Sequence, residues 1–80
     1  AVAEALVEHR VRIARSHGLS KRETEIFVLL AQGRSRPYIR DALVLSKNTV
    51  ATHIRHIYEK LGIHSQQELI DLAEGAFERE

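Results

Sequence analysis

Ser46-Lys47-Asn48-Thr49-Val50-Ala51-Thr52-His53-Ile54-Arg55-His56-Ile57-Tyr58-Glu59-Lys60-Leu61-Gly62 decides how this chain is read. Ser46 has the chemistry of a helix N-cap, and Gly62 suits the left-handed residue that ends a helix. Between them Val50, Ile54, Ile57 and Leu61 recur at helical spacing and define a buried face, with Tyr58 at its rim. The opposite face carries Asn48, Ala51, Thr52, Arg55 and Glu59. These are mostly short, polar or basic groups, and no acid appears before Glu59. A helix of this kind suits the major groove of DNA, from which bulky or acidic side chains are excluded.

The residues just upstream supply a companion. Ser35 is a second N-cap, followed by Arg36 and Pro37 in a first turn where a missing N–H costs nothing. Ile39, Ala42 and Leu43 form a short apolar stripe. Val44 and Leu45 then lead into Ser46. The spacing predicts a helix over 36–43, a three-residue turn, and a longer helix over 47–61. That is the pattern of a helix-turn-helix.

Working outward, Ser20-Lys21-Arg22-Glu23 is a capping box opening a helix that buries Ile26, Leu29 and Leu30, flanked by Phe27, and stops at Gly33. Ser65-Gln66-Gln67-Glu68 is a second such box. It opens a last helix whose Leu69, Ile70, Leu72, Ala73, Ala76 and Phe77 make a broad apolar surface. At the other end Val2, Leu6, His9 and Ile13 form a seam-like stripe on a first helix. Residues 1–17 read as a connector from an upstream part, and residues 18–80 as the functional domain. The start at Ala1 without Met fits a piece of a longer protein. No strand pattern competes, so the fold class is all-α: a four-helix bundle around a central helix-turn-helix, plus the N-terminal connector helix.

The bulk properties bound the function. Eighty residues make one small domain with a modest core. Aromatic residues are only 5%, so Leu, Ile, Val and Ala must build that core. Without cysteine there is no disulfide or thiolate metal site, which suits a reducing cytoplasm. No apolar run approaches the ~20 residues that span a bilayer. Net charge is +1, but its distribution is uneven. Residues 34–60 hold Arg34, Arg36, Arg40, Lys47, Arg55 and Lys60 against Asp41 and Glu59, a balance of +4. Residues 61–80 hold one base against five acids, a balance of −4. The middle suits a polyanion and the tail does not.

Particular roles follow. Asn48, Thr52 and Arg55 can bond base edges, with Arg55 able to pair with guanine, and the Ala51 methyl can approach a thymine methyl. Lys47, Thr49 and His53 cluster near the positive end of the long helix, which suits phosphates. His53 and His56 are three apart, but no third ligand is evident, so no metal is expected. No nucleophile motif, paired buried carboxylates or Gly-rich phosphate loop appears, so the chain is expected not to be an enzyme and to need no cofactor.

These residues also carry a family likeness. The chain resembles the DNA-binding domain of LuxR/GerE-type transcription regulators. A pattern of the form L-[ST]-x-R-E-x-E-[VI] is matched by residues 19–26, and A-x-G-x-S by residues 31–35. The run S-x-x-T-V-x-x-H-[IV]-x-x-I-[YL]-x-K-L-[GN]-[VI]-x-[ST] is matched by residues 46–65 almost throughout. The likeness covers about residues 18–77. It implies base contacts from Ala51, Thr52 and Arg55, and phosphate contacts near Lys47, Asn48, Thr49 and His53, to which Arg36 is added here. It implies that Glu23 and Glu25 hold the first family helix against the others. It implies a homodimer through the last helix, for which Leu69, Leu72, Ala73 and Ala76 are the expected contacts. Double-stranded DNA is the expected partner, with RNA polymerase in the full-length protein and no small-molecule ligand in this chain. There are departures. Arg36-Pro37-Tyr38 replaces a polar triplet, Arg40 a small residue, Ala51 a frequent lysine and Gln66 a frequent arginine. Two other readings compete: a promoter-reading domain like region 4 of sigma factors, and a helical dimerisation module that binds no DNA.

Overall fold

In the computed structural model, which describes residues 2–78 and the side-chain surroundings of residues 3–75, each expected helix forms. They are α1 (Val2–Ser16), α2 (Lys21–Ala31), α3 (Arg36–Leu43), α4 (Lys47–Leu61) and α5 (Gln66–Glu78). No strand occurs among the described residues.

The caps explain the boundaries. Ser20 Oγ accepts from Glu23 N at 3.2 Å, while Glu23 Oε1 accepts from Ser20 N at 2.9 Å, a complete capping box. Ser35 Oγ accepts from Tyr38 N at 3.3 Å, and Ser46 Oγ from Thr49 N at 3.1 Å. The fourth cap differs from expectation. Ser65 Oγ accepts from Glu68 N, but Glu68 Oε2 accepts from His64 N at 2.6 Å, one residue before the cap. The box is therefore shifted outward, because His64 N–H points at the carboxylate.

The two helix ends that flank the central pair use the same left-handed geometry with different residues. Gly62 closes α4 at φ 70°, which costs glycine little. Val44 closes α3 at φ 54°, ψ 54°, although its branched Cβ opposes that conformation. It is held there by the bond from Leu45 N to Arg40 O at 3.0 Å and by the short path into Ser46.

The core comprises Ala14, Leu19, Ile26, Phe27, Leu30, Ala31, Ile39, Val50, Ile54, Ile57, Leu69 and Ala73. Helix α2 is its hub: α1, α4 and α5 all pack on it, while α3 packs chiefly on α4. Three expectations need correction. Ala42 is exposed rather than inward, leaving Ile39 as the buried anchor of α3, with Leu43 half-buried. On α1 the inward face runs through His9, Arg10 and Ala14, with Leu6 and Ile13 only partly covered, and Val2 lies outside the described side chains. Leu69 and Ala73 are buried in the chain's own core at 0% and 1% exposure, so they offer no surface to a second copy. Leu72 is half-buried, and Ala76 and Phe77 lie outside the described side chains.

Candidate nucleic-acid interface

The polar face of α4 stands clear of the core. Lys47, Asn48, Thr49, Ala51, Thr52 and Arg55 are all exposed, and His53 is half-buried. Val50, Ile54 and Ile57, each 1% exposed or less, fix the rotation of the helix about its axis. The spacing of 51, 52 and 55 then places those three side chains on one outward strip. Thr49 has a local partner, since its hydroxyl accepts from Ser46 Oγ at 2.8 Å.

Two depressions flank the first half of α4. One is lined by Arg36, Pro37, Arg40, Lys47, Val50 and Ala51, and so lies between α3 and α4. The other is lined by Asn48, Thr49, Thr52 and His53, all from α4. One side of the helix is therefore cationic and the other neutral and polar. Arg36 also comes near enough to Tyr58 of α4 for its charge to act on the phenol. Burial raises the Tyr58 hydroxyl above its ordinary pKa, while the positive charge of Arg36 opposes that rise. Next to this, the Arg34 guanidinium lies 4.6 Å from the centre of the Tyr38 ring, a cation–π contact that the sequence reading missed.

Not every basic residue of the central segment faces outward. Lys60 Nζ donates to Glu23 Oε1 at 2.7 Å and to Gly18 O at 3.2 Å, fastening the last turn of α4 to the α1–α2 junction. Burial of Glu23 would raise its pKa, but the Lys60 hydrogen bond and charge and the Ser20 cap bring it below the ordinary value. His56 Nδ1 lies 3.9 Å from the other Glu23 oxygen. Glu23 thus has the bracing role that the family likeness implied. Glu25 does not, being exposed and paired with Arg22 of its own helix at 3.6 Å. Gln66 is the other residue missed. Its side-chain amide donates to Leu30 O at 3.1 Å and Arg34 O at 2.9 Å, tying the start of α5 to the end of α2. The signal was an amide at a position read only for a lost charge.

His53 and His56 are not gathered into a metal site, since no group of three His, Cys, Asp or Glu side chains suited to a metal occurs among the described residues. Nor is any helix there long and apolar enough to cross a membrane.

A helix-turn-helix whose second helix presents a solvent-facing polar strip beside clustered cations defines a class: domains that bind nucleic acid through an inserted helix. Residues 17–73 match the model of bacterial regulatory proteins of the luxR family, and the chain belongs to that family, whose regulators bind DNA through this domain. It is similar to the Fimbriae Z protein of Escherichia coli strain K12, with 51% identity over 55 residues, which cover 69% of this chain and 26% of the relative. The Fimbriae Z protein of Salmonella typhimurium is 46% identical over the same coverage. Oxygen regulatory protein NreC of Staphylococcus aureus strain JH9 is 46% identical over 55 residues, 69% of this chain and 25% of that protein. The chain thus matches about a quarter of the length of these curated relatives. No solved structure matches at the same significance. This is a family of DNA-binding regulators rather than of enzymes.

Proposed function

We propose that α4 docks in the major groove of double-stranded DNA and reads its sequence, with α3 bracing it from outside the groove. The observation that carries this is the outward strip of Ala51, Thr52 and Arg55, fixed by the buried Val50, Ile54 and Ile57 and bordered by Arg36, Arg40 and Lys47. In this reading Thr52 and Arg55 hydrogen-bond base edges and Ala51 packs on a thymine methyl. Lys47, Asn48, Thr49, His53 and Arg36 take backbone phosphates and set the register. The domain acts by binding, with no catalysis, metal or small-molecule ligand.

Two copies would read paired half-sites. With Leu69 and Ala73 committed to the core, the contact would fall on the outer edge of α5 around Leu72, with Ala76 four residues on. In the longer protein, residues 1–17, which hold α1, would connect this domain, residues 18–80, to an upstream part, and the assembly would work in the cytoplasm with RNA polymerase. The greater length of the relatives supports an upstream part.

Selection of bound sites from random duplex DNA tests the function directly. A recovered consensus supports sequence reading, and recovery of no enriched site rejects it.

A further inference from the structure

The groove between α3 and α4 has a volume of about 340 Å³. Its cations come from three places: Arg36 in the first turn of α3, Arg40 one turn later, and Lys47 in the first turn of α4. Arg36 and Arg40 are four apart and therefore share a helix face. Its apolar lining is Pro37, Val50 and Ala51, and no acidic residue lines it. Asp41 follows Arg40 in the chain, yet no ion pair joins them among the described residues. Arg36 and Lys47 are exposed, whereas Arg40 is half-buried, so Arg40 has given up part of its hydration without gaining a carboxylate.

Three like charges around one concavity repel each other, and an anion seated among them reverses the sign of that interaction. A guanidinium matches a phosphate with two parallel hydrogen bonds. The groove is also lined by Ala51, on the strip assigned to the bases, so an anion there would belong to the same DNA that α4 reads. We propose that Arg36, Arg40 and Lys47 form a cradle for one backbone phosphate of duplex DNA, with Arg40 as its central arm. The inference rests on the DNA-binding reading above and adds a site on the bracing helix. Ala51 brings no charge to the groove, so α4 contributes Lys47 alone and α3 the other two cations. The bracing helix then grips the DNA as well as supporting its neighbour.

The test is fluorescence anisotropy of a labelled mixed-sequence duplex, titrated with the chain between ~50 and ~200 mM salt. Arg40→Gln keeps a polar stem but removes the charge. It is expected to weaken binding about three- to tenfold and to make the slope of log affinity against log salt shallower by ~0.9. Arg40→Lys keeps the charge, and is expected to retain the slope while losing part of the affinity. Pro37→Glu, at a lining position given no base contact, leaves Arg40 in place but sets a carboxylate in the cradle, and is expected to weaken binding more than tenfold even if Arg40→Gln unfolds. Thermal unfolding of each variant separates lost binding from lost fold. A steep wild-type slope with a parallel Arg40→Gln slope overturns the cradle alone. Absence of salt-dependent binding by the wild type overturns the DNA reading and the cradle with it.

Discussion

Lys60 Nζ donates to Glu23 Oε1 at 2.7 Å, so the last turn of α4 is bonded to the first turn of α2 across 37 residues of chain. The same carboxylate closes the capping box of Ser20. One buried group therefore ends one structural problem and begins another: it caps α2 and fixes the far end of the recognition helix.

Acid should weaken the fold through this group. The folded pKa of Glu23 lies below its ordinary value, so its stabilisation is fully present above ~4.3 and is lost as pH falls through the depressed value. Glu23→Gln is expected to cost about 1 kcal/mol near neutral pH, less than a fully buried pair because Lys60 still meets water. Urea unfolding at a series of pH values reads both effects. A variant whose stability falls as steeply below pH ~4.5 as the wild type's would assign the acid sensitivity to other carboxylates.

Val44 should be replaceable with a gain. Its side chain is 89% exposed, so little packing is lost, and its φ of 54° strains a branched residue. Relief of ~1–2 kcal/mol is partly offset by the chain entropy of glycine. Val44→Gly is expected to raise stability by about 0.5–1 kcal/mol, seen as a higher melting temperature. An unchanged or lower value would mean that the side chain makes contacts worth more than the strain.

Gln66→Glu is nearly isosteric yet aims an acceptor at two carbonyl oxygens, Leu30 O and Arg34 O. It also brings negative charge to the C-terminal end of α2. A loss of about 1–2 kcal/mol is expected, larger than that of Gln66→Ala. Chemical denaturation of the pair decides it, since equal losses would mean that the amide bonds contribute nothing.

Arg55 and Lys47 should separate reading from holding. Arg55→Ala is expected to cost about 1–3 kcal/mol on a selected site and much less on random DNA. Lys47→Ala should weaken both alike. Competition titrations with the two DNAs measure the difference, and equal losses for Arg55→Ala would remove it from the base-reading set.

Much of this architecture was legible because its signals are local. Serines 20, 35 and 46 announce their helices within three residues, and the Val50-Ile54-Ile57 spacing orients α4 without reference to anything else. What escaped was mostly long-range. Nothing near Lys60 marks Glu23 as its partner, and nothing near Gln66 points to carbonyls more than thirty residues earlier. Helix α5 misled for another reason. Its apolar surface is wide enough to serve a core or a dimer, and only the packing on α2 and α1 assigns Leu69 and Ala73 to the core. Val44 escaped because a left-handed residue is usually betrayed by glycine or asparagine.

The fastening of Lys60 has a mechanical side. From Lys60 to Asn48 is twelve residues of α4, about 18 Å at a rise of ~1.5 Å each. The helix is clamped by Lys60 at one extremity and seated on the core through Val50, Ile54 and Ile57, so a shift at the clamp is carried along a stiff rod to the other end. A tilt of ~5° at the clamp displaces the tip by ~1.5 Å, more than the tolerance of a hydrogen bond. The aim of the side chains near Asn48 thus depends in part on a carboxylate and an ammonium at the far end of the helix.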